Sequence, residues 1–309
     1  MSSADGAGQP RRLNILCAGI AVLDEVFRVE QFPVAHKKTQ ASQFMSVNGG
    51  NAANAAVVVA RLGARTAFAA PLGDDASGER LLALMARENI DCSACPRVGG
   101  VPTPISAICI DARGERAIVN FRDNRLIVAR VADPGALVAS AHAVLVDNRF
   151  SEFVTPICEA ARARNIPVVI DADEPRRQSN DLLKLVSHAI FSAEGLRATA
   201  GADDLPRALV QVRDLTAAFV AVTDGANGAY WLDGSTPRHV PAFRVEAVDT
   251  LGAGDTFHGA FALMLAEGAG EAAAMRFAAA AAAVKCTRFG GITVAPSRAE
   301  VDAFLAERR

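Results

Sequence analysis

The chain has 309 residues, 51% of them hydrophobic and 6% aromatic, with 32 basic against 34 acidic side chains. That length and apolar content allow one large α/β domain or two domains. The balanced charge excludes the cationic field that nucleic acid or anionic lipid needs, and six scattered cysteines in so long a chain point to a reducing cytoplasm rather than a disulfide framework.

Residues 1–11 are small and polar and are expected to form a disordered tail. The apolar run after them is broken by Asp24 and Glu25, so it is neither a signal segment nor a membrane span. Leu13–Gly19 reads as a buried strand and Val47–Gly50 as a turn. Asn51–Leu62 reads as a helix ended by Gly63, Thr66–Ala70 as a strand, and Ser77–Glu88 as a helix with Ser77 as its cap. Cys92-Ser-Ala-Cys95 is a CxxC with no second pair and no clustered histidines, which suits structural cysteines better than zinc or redox chemistry. Ala143–Val146, Pro167–Ile170, Ala189–Phe191 and Phe219–Thr223 are further strands. Helical patterns near Thr155–Arg164, Leu182–Val186 and Leu205–Arg213 separate them. This alternation predicts an α/β fold, a doubly wound, mostly parallel sheet flanked by helices.

Two stretches break the rhythm. Ala35–Ser46 alternates polar and apolar residues, and Ile105–Phe121 reads as two strands around a turn at Asp111–Gly114. They predict half-wet antiparallel ribbons forming a β lid from segments 33–47 and 102–125, inserted into a main domain of 12–32, 48–101 and 126–309. A small sheet with an exposed apolar face is poorly stable alone, so a homodimer through the lid is expected. The alanine run Ala278–Ala283 suits close packing rather than a site.

Three glycine-bearing turns are candidate ligand sites. In Asn48–Asn54 (NGGNAAN), Gly50 would let a ligand approach the main chain, and Asn51 and Asn54 suit a polyhydroxylated ligand; an ordinary capped helix start would look the same. In Thr223–Gly228, a hydroxyl and two glycines, Gly225 and Gly228, follow a strand end, where open α/β sheets bind ligands. That turn reads equally well as a hairpin. In Asp249–Ala262 (DTLGAGDTFHGAFA), the N–H groups of Gly252, Ala253 and Gly254 meet a helix start, an anion site. Asp255 behind them could accept a hydroxyl proton while those amides stabilise a phosphoryl group in flight. The reaction implied is phosphoryl transfer to an alcohol. The turn matches neither GxGxxG nor GxxxxGK[ST].

GGNAANAAVVVARLGA (Gly49–Ala64) and DTLGAGDTFHGAF (Asp249–Phe261) together resemble the two signatures of the PfkB, ribokinase-like carbohydrate kinases. The resemblance implies a central sheet with a β lid over the sugar, Mg2+-ATP as donor and, in many members, a monovalent cation such as K+ near Asp249 and the Arg288–Gly291 loop. It implies Asp255 as general base and an anion hole from Gly252, Ala253 and Gly254. Asp24, Gly50, Asn51 and Asn54 would bind sugar, and Thr223, Gly225 and Gly228 would line the ATP phosphates. Where many members carry N-x-x-E for magnesium, this chain has Ser192-Ala-Glu-Gly195, with Glu194 one place early. SHAIFSAEGL (Ser187–Leu196) and VKCTRFGG (Val284–Gly291) are further similar to the sulfofructose kinase branch. That likeness implies that Lys38, Asn120 and Arg149 hold the sulfonate of 6-deoxy-6-sulfofructose while its 1-hydroxyl is phosphorylated. Asn51 stands where that branch leads one to expect glycine. A kinase for fructose, ribose or a nucleoside remains an alternative, as does a non-catalytic sugar- or nucleoside-binding regulator, which an intact Asp255 argues against. A nicotinamide oxidoreductase lacks its glycine fingerprint near the first strand, where GIAVLD stands.

Overall fold

The computed structural model describes residues 12–173 and 179–308; the expected disordered tail, 1–11, lies outside them. In chain order the first half comprises β1 (Asn14–Ala18), β2 (Val22–Arg28), β3 (Gln43–Gly49), α1 (Asn51–Arg61), β4 (Arg65–Ala69), β5 (Leu72–Gly73), α2 (Ala76–Arg87), β6 (Arg97–Val98), β7 (Ile105–Ile110), β8 (Arg116–Phe121) and α3 (Pro134–Val138). There follow β9 (Ala143–Asp147), α4 (Ser151–Ala163), β10 (Val168–Ala172), α5 (Ser179–Leu182), β11 (His188–Ser192), α6 (Ala193–Ala200), α7 (Leu205–Val212), β12 (Phe219–Thr223), β13 (Ala229–Asp233), β14 (Thr236–Val240), α8 (Ala253–Ala266), α9 (Glu271–Cys286) and α10 (Arg298–Ala306).

The main sheet has the order β14-β13-β12-β11-β10-β9-β1-β4. Pairing is parallel from β4 to β12, and β13 and β14 add antiparallel strands at one edge. The central strands β9 and β10 are buried along their whole length because helices cover both faces of the sheet there. Along β1, Ile15 and Cys17 join the core built with α1, α8 and α9, while Leu16 and Ala18 join the core under α4, α6 and α7. The same alternation separates Leu145 from Val144 and Val146 on β9. β1 is flanked by β4 on one side and β9 on the other, so the crossovers diverge there, and the strand ends on either side open a crevice.

The lid is a separate sheet of order β3-β2-β7-β8. It takes in β2, which lies in the stretch 12–32 that the sequence pattern assigned to the main domain. The pattern failed because β2 is buried on both faces at its start and continues an apolar run from β1. β2 and β7 pair in parallel, the outer pairs antiparallel, so the lid is more than two hairpins. Of the expected ribbon at Ala35–Ser46, only the part from Gln43 is strand. The cap of α2 is Asp75 rather than Ser77. Its carboxylate accepts from Gly78 N–H at 2.8 Å and from the Thr103 hydroxyl at 2.7 Å, which also ties the helix to the chain entering β7.

Helices α1 and α8 approach closely at Gly259, where a Cβ would sit 2.9 Å from the Ala55 carbonyl oxygen and 3.1 Å from Val58 Cβ. Gly259→Val should therefore overpack this contact and cost about 1–3 kcal/mol. The expected result is a lower melting temperature in a thermal unfolding scan.

Candidate active site

The site starts at the turn between β3 and α1. Register places Asp24 of β2 opposite Val47 of β3, and its carboxylate reaches over Gly49. A Cβ on Gly49 would lie 2.1 Å from Asp24 Oδ2, so only glycine lets the acid enter. Gly50 caps α1 at φ 90°, a conformation that glycine adopts without strain. Burial raises the Asp24 carboxyl to about 6, opposed by a hydrogen bond from Ser106. Ser106 is in register with Asp24 on one side and Asn120 on the other, and the Asn120 amide donates to the Ser106 hydroxyl at 3.1 Å. Asp24, Ser106 and Asn120 thus form a polar row on one face of the lid.

Asp255 stands in the first turn of α8, half-buried. Asn54 Nδ2 donates to its Oδ2 at 2.7 Å. Its carboxyl is raised to about 7, first by desolvation and then by the nearby Asp171 carboxyl; Asn54 and His258 pull the other way. Gly252, at φ 79°, turns the chain into the helix. The Ala253 N–H bonds back to the Thr250 carbonyl at 3.2 Å. Of the three amides expected in the anion hole, that of Ala253 is therefore already engaged, because the chain tightens into a turn before the helix begins. The Gly254 and Asp255 amides fall in the first turn, where a helix has no internal acceptors for them.

Around Asp255 lies a network that the sequence did not single out. Asp147 ends β9 and Asp171 lies in β10 directly beside it. Asp171 is 3% exposed, and its carboxyl is pushed well above the usual range by burial and then by Asp173. Asn51 Nδ2 donates to Asp171 Oδ2 at 2.8 Å and to Asp173 Oδ2 at 3.1 Å. His258, one turn beyond Asp255, places Nδ1 2.7 Å from the Gly254 carbonyl and Nε2 3.5 Å from Asp171 Oδ1. Burial pushes the His258 imidazole pKa down. Oδ1 of Asn54, Oδ1 of Asn48 and Oδ1 of Asp173 are buried with no hydrogen-bond partner among the described residues, three acceptors that a hydroxylated ligand could use.

Behind α8 lies a cavity of about 650 Å³. Thr223, Gly225 and Gly228 line it, and Gly254 is shared between it and the first turn of α8. The Thr223–Gly228 turn is also the β12–β13 hairpin, so both readings of that stretch apply. Ala279, Ala282 and Ala283 form part of the wall. The alanine run packs into the core as expected and also lines this cavity.

The remaining candidates divide. Arg149 follows β9 directly; its N–H donates to Asp147 Oδ1 at 3.0 Å and its guanidinium is hydrogen-bonded to Asp173. Lys38 is exposed on the segment before β3. Glu194 is exposed on α6, whose N-cap is Ser192. The departure from N-x-x-E has a steric cause, since a Cβ at Gly195 would lie 2.6 Å from the Ala172 carbonyl. Among the described residues no group of three or more His, Cys, Asp or Glu could hold a metal. Asp249 is buried and engaged by Lys285.

A doubly wound sheet, a lid carrying polar residues, a carboxylate poised near neutrality and an adjoining cavity define a transferase that acts on a hydroxylated ligand. Comparison with known proteins places the family. The model for pfkB family carbohydrate kinases matches residues 12–298, and the chain belongs to that family of ATP-dependent phosphotransferases. It is 29% identical to the ribokinase of Bacillus subtilis, over 95% of this chain and 99% of that protein. A crystal structure from Agrobacterium tumefaciens, provisionally described as a ribokinase, superposes with a TM-score of 0.93 at 37% identity, covering 96% of this chain and 98% of that one. The fructokinase of Xylella fastidiosa, solved with bound ATP, gives 0.79 at 26% identity, covering 96% and 98%. No helix among the described residues is long and apolar enough to cross a membrane.

Asp255→Asn preserves shape and the contact with Asn54 but removes the carboxylate that could accept a proton. Sugar-dependent ADP release should fall by about 10²–10⁴-fold, with ATP binding retained in calorimetry. Activity close to that of the parent would remove Asp255 from the mechanism.

Proposed function

We propose that the chain phosphorylates a ketose hydroxyl from ATP with Asp255 as general base, and that its preferred substrate is 6-deoxy-6-sulfofructose at the 1-hydroxyl. The observation that carries the reaction is the Asp255 carboxyl, raised to about 7 beside the first-turn amides of α8 and the adjoining cavity. ATP would lie in that cavity with its phosphates toward Thr223, Gly225 and Gly254. The sugar would lie under the lid against Asp24, Asn51 and Asn54. Asp255 takes the hydroxyl proton as the oxygen bonds the γ-phosphorus, the bond to the β–γ bridging oxygen breaks, and ADP leaves. Magnesium, when bound with ATP, would neutralise phosphate charge. Without a protein cage it would be held by the ATP phosphates, water and at most one or two carboxylates. Lid closure excludes water that would otherwise hydrolyse ATP.

Support for an anionic sugar comes from Lys38 and Asn120 on the lid side and Arg149 at the end of β9, an ammonium, an amide and a guanidinium suited to a sulfonate. One observation favours a second reading, a neutral fructose or ribose: the Arg149 guanidinium is engaged by Asp173, and the similar proteins named above are ribokinases and a fructokinase. A sulfonate would have to compete with that carboxylate.

A panel of sulfofructose, fructose and ribose with ATP decides between them. Arg149→Ala should lower kcat/KM for sulfofructose by roughly ten- to a hundredfold, the range for a lost hydrogen bond to a charged group, and leave fructose nearly unchanged. A parent enzyme preferring neutral fructose or ribose would overturn the sulfofructose reading and leave the kinase standing. In either case kcat/KM should rise with pH through an apparent value of about 7, because only the ionised Asp255 accepts a proton.

The lid also supports a homodimer. Phe44, Ile105, Val119 and Phe121 are 41–74% exposed and share the face opposite the polar row. Val119→Lys should shift the molar mass measured by light scattering from two chains to one; a monomeric parent would remove this proposal.

A further inference from the structure

The family resemblance carries an expectation of a free monovalent cation near Asp249 and the 288–291 loop. The side chains there do not fit one, because an ammonium belonging to the protein occupies that neighbourhood. Lys285, in the last turn of α9, is 0% exposed, a rare place for a lysine. Its Nζ donates to the Asp249 carbonyl oxygen at 2.8 Å and lies 3.4 Å from Asp249 Oδ2. The same carboxylate accepts from Leu251 N–H at 2.8 Å, Gly290 N–H at 3.1 Å and Gly291 N–H at 2.8 Å. Asp249 N–H bonds back to the Cys286 carbonyl at 3.2 Å. One buried cation and one buried anion thus join three segments: the end of α9, the Gly290–Gly291 turn, and the stretch from Asp249 to Gly252 that delivers the first turn of α8. A free cation would have to sit against this ammonium, and like charges away from water repel strongly. Arg116 on β8 adds further positive charge near Lys285.

We propose that Lys285 is a built-in monovalent cation. Its ammonium holds the Asp249 carbonyl and carboxylate, sets the turn that carries the Gly254 and Asp255 amides, and makes phosphoryl transfer independent of added potassium. Lys285 touches neither ATP nor sugar in the reading above, on which this inference rests; it is a positioning residue. The carboxylate it holds would otherwise be a buried charge without a counter-charge, which strongly destabilises a fold.

The test uses the full chain with Tris-ATP, constant magnesium, and ribose, fructose and sulfofructose as acceptors. Chloride is supplied as the potassium, sodium or tetramethylammonium salt at about 0.1 M, so that screening is equal. The parent rate and melting temperature should be the same in all three salts. Lys285→Ala should lose about ten- to a hundredfold in kcat/KM in tetramethylammonium, the range for a lost charge-assisted hydrogen bond. Potassium or ammonium should restore much of that loss, saturably, and raise the variant's melting temperature. Lys285→Met, which fills the space without charge, should be impaired and not restored. A parent whose rate or melting temperature rises with potassium overturns the proposal, and so does a folded Lys285→Ala that is fully active or that no small cation restores. Should the variant fail to fold, the parent's response to the three salts decides alone. If none of the sugars turns over, the substrate reading fails while the melting temperatures still judge this one.

Discussion

The structure depends most on the carboxylate of Asp147. It is 0% exposed, and it accepts three main-chain N–H groups: Ile20 at 2.7 Å, Ala52 at 3.1 Å and Arg149 at 3.0 Å. Those donors belong to the β1–β2 connection, the first turn of α1 and the end of β9. The strand that leads to the lid, the glycine turn before α1 and the topological switch of the sheet thus meet at one acid. Burial pushes the Asp147 carboxyl up and the Ile20 and Arg149 amides pull it back, leaving it at about 6.

From that anchor the acidity of the site follows. Asp171 is a sheet neighbour of Asp147, Asp173 lies two residues on, and Asp255 faces them from α8. Carboxyls packed this closely away from water cannot all ionise freely, and the upward shifts of Asp171 and Asp255 express it. Amide side chains are interleaved between them: Asn51 donates to Asp171 and Asp173, and Asn54 to Asp255.

Much of this was legible in the sequence, and the parts that were not share a cause. Glycine turns announce themselves because few other residues meet their geometry, so the NGGNAAN and GAGD stretches stood out, and they meet where Asn54 donates to Asp255; strand–helix alternation indicated the sheet. Asp147 and Asp171 were not legible, because an acid at the end of an apolar strand looks like any strand terminus until the neighbouring strand is known. Asp173 and His258 escaped for the same reason: their partners lie far away in sequence, Asn51 in one case and Asp171 in the other. The boundary of the lid was misplaced because β2 belongs to one sheet by chain continuity and to another by pairing. Lys285 was not singled out, because its partner Asp249 lies 36 residues away in sequence.

Strand β2 carries the site on one face and the apolar surface on the other. Asp24 shares its row with Ser106 and Asn120, while Glu25, one residue on, shares the opposite row with Ala107 and Val119. Side chains in a strand alternate with a period of two, so a slip of one residue exchanges the faces. The lid can therefore absorb many changes of residue type, but a change of length is different. One residue inserted into the short Gly19–Ala21 connection would turn Asp24 outward, set Leu23 in its place beside Ser106 and bring Glu25 beside the buried Ile108. Insertions and deletions, more than substitutions, are what this part of the chain has least freedom to accept.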